Sequence, residues 1–171
     1  MKPLIFILAV LCCPLFSLCQ DITGLWKGSI LNDATQQTLQ YEVLISKNNG
    51  KYTGMSHTWF LIDDKKYYGV KKVDVRIAKD GKIVLQDAKL VGNNYPENSP
   101  KLALQLNVLD LANPGADAVL DGPFKTIRTK EYGTELTGHI NLKKAGPFVQ
   151  SDLMEYLQKN SKDSNLTVSN K

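Results

Sequence analysis

The feature that most constrains this chain is an alternation of apolar and polar residues with a period of two. "LQYEVLIS" sets Leu39, Tyr41, Val43 and Ile45 on one face, with Gln40 and Glu42 on the other. "KKVDVRIAK" alternates Val73, Val75 and Ile77 with Asp74 and Arg76, and "KLALQLNVLD" alternates Leu102, Leu104, Leu106 and Val108 with Ala103, Gln105 and Asn107. "ELTGHINLKK" does the same with Leu136, Gly138, Ile140 and Leu142 against Thr137, His139, Asn141 and Lys143. Side chains along a strand point alternately to its two faces. These segments therefore read as antiparallel strands, each with an apolar buried face and a polar face in water.

Turn signals fall between the alternating runs. Asn48-Asn49-Gly50 separates strands near 38–47 and 51–60, and Asp80-Gly81 separates 67–79 from 82–91. Asn113-Pro114-Gly115 divides 101–111 from 117–128, and Tyr132-Gly133 precedes the last strand. Asn-Gly and Asp-Gly supply the positive φ angles that tight hairpins require. With "TGLWKGSIL" at the start, eight strands follow one another by hairpins. No helical pattern intervenes, which excludes parallel β-α-β units. A sandwich and a closed barrel both accept this order. Closure is preferred, because sequential hairpins close naturally and a closed sheet has no edges. The expected fold is all-β, an eight-stranded antiparallel up-and-down barrel with a short C-terminal helix. That helix follows Gly146 and Pro147, with Val149, Leu153, Tyr156 and Leu157 on one face. Its start is set either by Pro147 or by a capping box of Asp152 and Glu155. So short a helix is marginal in water and must dock on the sheet.

The ends divide the chain of 171 residues. Lys2 followed by the uncharged "PLIFILAVLCCPLFSLC" reads as a secretory signal peptide, residues 1–19, with cleavage before Gln20. Ser17 and Cys19 are small enough for the positions preceding the cut. A lipoprotein reading would instead modify Cys19, but Leu18 is large for the position before such a site. All three cysteines, Cys12, Cys13 and Cys19, fall in the removed segment, so the mature chain has neither disulfides nor a thiol nucleophile. Residues 20–146 form the barrel domain and 147–159 the helix packed on it. The polar segment 160–171 cannot bury enough apolar surface to order itself and is read as a disordered tail. The net charge of +4 comes from lysines scattered among acids, without a basic stripe interleaved with aromatics. Neither a nucleic-acid partner nor a membrane span is expected.

The segments "QDITGLWKGSI", "GKYTGMSHTWF" and "GPFKTIRTKEYGTELTGHINL" resemble small exported bacterial lipocalin-like proteins of the calycin group. The resemblance implies a cup for a small hydrophobic or amphipathic molecule. It also implies that Trp26, in the G-x-W of the first strand, closes one end of the barrel, with a basic side chain near the last strand packed over its ring. Arg128, in "KTIRT", is the candidate for that side chain. Gly24 and Gly28 share the face of Trp26 and leave room for a large ring where the barrel narrows.

Tyr41 lies on the apolar face of its strand and is expected inside, where its hydroxyl needs a partner. Tyr67 and Tyr68 occupy opposite faces, so one points inward. "SHTWF" puts His57 and Trp59 on one face and Ser56, Thr58 and Phe60 on the other, and because both faces are mixed the strand's orientation stays open. The ligand-binding candidates are Tyr41, His57, Trp59, Tyr67 and Arg128, with Trp26 as the structural closing residue. Two histidines, His57 and His139, are too few for a zinc site without cysteines, and no nucleophile elbow is present. The chain is therefore expected to be a binder without catalytic residues, metal or cofactor. The partner is either a small apolar ligand or, if the barrel is filled, a cell-envelope protein held by its surface. An enzyme or enzyme inhibitor on the same barrel is the third class.

Overall fold

The computed structural model describes residues 21–62, 64–96, 103–128 and 135–161. The expected signal peptide, the Tyr132-Gly133 turn and the tail from 162 onward lie outside the described residues. Eight strands run in order: β1 (Gly24–Asn32), β2 (Thr38–Asn48), β3 (Lys51–Ile62), β4 (Lys65–Ile77), β5 (Ile83–Asn93), β6 (Ala103–Ala112), β7 (Val119–Arg128) and β8 (Thr137–Lys144). One helix, α1 (Asp152–Asn160), follows. Each strand pairs antiparallel with the next, and β8 returns to β1, with Trp26 opposite Lys144 and Ile30 opposite Ile140. The sheet is a closed barrel.

Local chemistry explains the hairpins and the seam. Asn48 and Lys51 face each other across a two-residue loop whose Asn49 and Gly50 have φ of 49° and 79°. Positive φ at both positions matches the right-handed twist of the flanking strands. At the seam, a Cβ on Gly28 would stand 2.0 Å from the Asn141 carbonyl oxygen of β8. Gly28 is thus needed for the approach of two backbones, rather than to make room for the Trp26 ring.

The inward faces of β1, β2, β4 and β8 are the expected ones. Trp26, Tyr41, Val43, Ile45, Val73, Val75, Ile140 and Leu142 are buried in one cluster with Ile83, Leu85, Leu109, Leu120 and Phe124. On β6 the expectation is reversed. Gln105, Asn107 and Leu109 are buried, while Leu104, Leu106 and Val108 are only partly covered on the outer face; Leu102 lies outside the described residues. Leu109 pairs with Ile83 and Asn107 with Leu85. That register carries Leu109 into the apolar core and leaves the two amides to bond inside. A slip of one residue would expel Leu109. Elsewhere the outer wall carries Lys27, Asp74, Arg76, Gln86, Asp121, Lys125 and Lys143, all partly or fully exposed.

The helix begins after Pro147 and one residue ahead of a cap at Asp152, between the two expected starts. Phe148 and Val149 stand in solvent before it, and Ser151 is its cap, its hydroxyl accepting the Met154 N–H at 3.1 Å. A serine at this position satisfies one of the free N–H groups of the first turn. Leu153 is fully buried against the outer wall of β2 and β3.

Candidate functional site

The barrel interior has two halves. Trp26 lies at the end where β1 begins and β8 ends, fully buried, its Nε1 donating to the Ile22 carbonyl at 2.9 Å. The cation over its ring is Lys144, 5.9 Å from the ring centroid, and not Arg128. Arg128 pairs with Ala103 at the far end of β7, nine residues beyond Val119, so the two ends of that strand lie about 30 Å apart. The side chain of Arg128 is outside the described residues.

Above this apolar floor the interior turns polar. Tyr41 pairs with Thr58 and Val43 with Ser56, which fixes Ser56, Thr58 and Phe60 as the inward face of β3. Asn107 donates to the Tyr41 hydroxyl at 3.1 Å, and Gln105 donates to the Asn107 carbonyl oxygen at 2.8 Å. Asp87 of β5 accepts from the Gln105 backbone N–H at 2.9 Å and from Lys71 of β4 at 2.5 Å. Lys71 also donates to the Ala103 carbonyl at 3.0 Å. The Asp87 side chain is 3 % exposed and that of Lys71 15 %. Burial pushes the Asp87 carboxyl above its usual range, while the Lys71 ammonium and the two hydrogen bonds pull it back. Burial and the Asp87 charge also raise the Tyr41 hydroxyl. Ser56, opposite Lys71 on the neighbouring strand, is 1 % exposed, and the Tyr41 hydroxyl is the one group its own hydroxyl meets among the described residues.

Aromatic side chains gather at the end away from Trp26, where β3 turns into β4. Phe60 lies 6.2 Å from Tyr67 and 4.9 Å from Tyr95, ring centre to ring centre. Tyr95 comes from the loop after β5 and reaches over the inner face of Gly69, where a Cβ would stand 2.0 Å from its hydroxyl. Burial, and after it the Asp87 charge, push that hydroxyl up to about 12.

His57 and Trp59 belong elsewhere. They lie on the outer face of β3, under the helix. His57 stacks on Tyr68 at 5.2 Å and meets Trp59 edge-on at 5.0 Å. Trp59 donates to Asp152 of α1 at 2.8 Å, and Lys66 stands 4.1 Å over its ring. Beside them the buried Glu42 accepts from the Ser151 hydroxyl at 2.5 Å and the Leu153 N–H at 3.0 Å, and pairs with Lys27 at 2.9 Å. Glu42 thus caps the helix from the barrel wall. The mixed pattern of "SHTWF" has a simple cause: one face meets a polar interior and the other a docked helix.

Of the sequence-derived candidates, the structure brings Tyr41 and Tyr67 to the inner face and removes His57 and Trp59 from it. Sequence reasoning missed Ser56, Lys71, Asp87, Tyr95, Gln105 and Asn107. One signal was available: Lys71 is in phase with Val73 and Val75, and Asp87 is in phase with Ile83 and Leu85. Two opposite charges thus interrupt the apolar faces of adjacent strands. Among the described residues, no three His, Asp or Glu side chains converge on a metal position.

No family model matches the chain, and no curated protein matches it. A solved structure of a redesigned β-barrel is similar, at 21% identity and a TM-score of 0.40, over 72% of this chain and 91% of that one. The class defined here is therefore that of the architecture, a closed eight-stranded up-and-down barrel.

Proposed function

We propose that this protein is an exported, lipocalin-like barrel that binds a small amphipathic molecule through the end framed by Phe60, Tyr67 and Tyr95. The observation that carries the reading is the half-polar interior. A barrel needing only stability would fill its core with apolar side chains, since buried ion pairs add little net stability compared with such packing. Here Lys71, Asp87, Gln105, Asn107, Tyr41 and Ser56 share that space. A few convergent polar groups under an apolar rim are the usual make-up of a small-molecule site. The leader-like residues 1–19 support export to the periplasm or beyond. Binding here involves no catalysis, cofactor or metal.

A second reading has its own support. Phe148 is 99% exposed, with the half-exposed Val149 beside it. A large aromatic wholly in water is suited to contact with another protein, as in an envelope interaction module with a filled barrel. A dansyl-labelled octyl amide separates the two. Binding at micromolar concentration, weakened by Asn107→Leu and unaffected by Phe148→Ser, supports the ligand reading. Absence of binding by the wild type favours the interaction module.

A further inference from the structure

We infer that the ligand enters head first, an uncharged head bearing hydroxyl or carbonyl groups reaching the level of Tyr41, Ser56 and Asn107 while its apolar part stays between Phe60, Tyr67 and Tyr95. The inference rests on the binding reading above and adds to it an orientation and a chemical class. The orientation follows from the order of layers along the barrel axis. The floor is occupied by Trp26, Val43, Val73, Leu85, Leu109, Leu120 and Leu142, all nearly or wholly buried. An apolar tail pushed inward would have to cross the polar layer and then displace packed side chains. A polar head meets unsatisfied chemistry at mid-depth. The buried Ser56 hydroxyl stands beside the Tyr41 hydroxyl and has no other neighbour to bond to, and Asp87 and the Ala103 carbonyl engage two of the three ammonium donors of Lys71. The aromatic rings of Phe60, Tyr67 and Tyr95 offer flat apolar surface to whatever follows the head.

The charge balance selects the class. Lys71 and Asp87 neutralise each other at 2.5 Å, and Tyr41, Ser56, Gln105 and Asn107 are neutral. A carboxylate head would bring a second negative charge beside a buried Asp87 and compete with it for one lysine. A hydroxyl both donates and accepts, and so can serve Ser56 and Lys71 together.

The test compares 1-monooctanoylglycerol with octanoate at pH 8 on the full mature chain by calorimetric titration, the tails being matched. The expected result is tighter binding of the glyceride by at least roughly tenfold. Ser56→Ala should weaken the glyceride roughly three- to tenfold, the value of one hydrogen bond, and leave octanoate unchanged. Intermolecular NOEs in the wild type, which need no variant to fold, should join the glycerol protons to Tyr41 and Asn107 and the terminal methyl to Phe60 and Tyr95. Octanoate binding as tightly as the glyceride, or NOEs from the methyl to Tyr41 and Asn107, would overturn the head-first inference and leave the amphiphile site standing. If neither compound binds, the ligand reading fails along with it.

Discussion

Trp26 anchors the apolar floor of the barrel. It is the largest fully buried side chain, and its ring nitrogen is tied to the Ile22 carbonyl. Trp26→Ala should destabilise the protein by about 3–5 kcal/mol in urea unfolding, through lost burial and the cavity left behind. A loss under 1 kcal/mol would mean that the floor collapses without strain. Gly28→Ala should be costly for a different reason, since its methyl would overlap the Asn141 carbonyl at the closing seam; unfolding at a markedly lower urea midpoint is the expected outcome. Tyr41 was legible in the sequence because it sits in phase with an unambiguous apolar face, whereas Trp26 was placed by the resemblance that its G-x-W carries. His57 and Trp59 were not legible. Their burial comes from α1, far along the chain, and a local pattern does not report what covers a strand from outside. The cation over Trp26 was misassigned for a similar reason: Lys144 and Arg128 sit at opposite ends of a barrel whose ends become defined only on closure.

At the scale of elements, the outer latch of α1 is the feature that can be probed separately. Leu153 is fully buried, and Leu153→Ala should cost about 2–3 kcal/mol if the helix unfolds together with the barrel. A change within a few tenths would mean that the helix detaches independently. His57 gives the latch a pH dependence. Burial holds its imidazole below the usual range and Lys66 adds to this, while Asp152 and Glu42 oppose it. The unfolded chain therefore takes up a proton at His57 before the folded chain does, so stability falls as pH drops below about 6.5 toward the folded value. Asp87 acts in the other sense. Its raised folded value means that its contribution declines as pH rises through that value. Denaturation midpoints measured from pH 7.5 to pH 5 should slope downward for the wild type and flatten in His57→Leu; equal slopes for the two would remove His57 from the account. The helix itself was legible in its existence and in Leu153. Its start was not, because the choice among Pro147, Ser151 and Asp152 is made by Glu42, which receives the first turn from another strand.

At the scale of the whole molecule, eight strands, their order and the antiparallel hairpins could be read from alternation and turns. Closure could be argued, since an open sheet of this length would leave two edges. The interior could not be read, because the apolar leucines of β6 point outward and its amides inward. Binary patterning assigns a strand's apolar face to the core. It misassigns any strand whose inward residues are polar and satisfied by one another, as Gln105 and Asn107 are with Tyr41. Such a reversal is expected where a core has been given over to function. The most direct test of that claim is native mass spectrometry of the protein purified under gentle conditions from its own host. The expected spectrum contains a population carrying a single adduct of small-molecule mass, lost in Asn107→Leu and retained in Phe148→Ser. Bare protein alone, still bare after incubation with an excess of uncharged short-chain amphiphile, would contradict it.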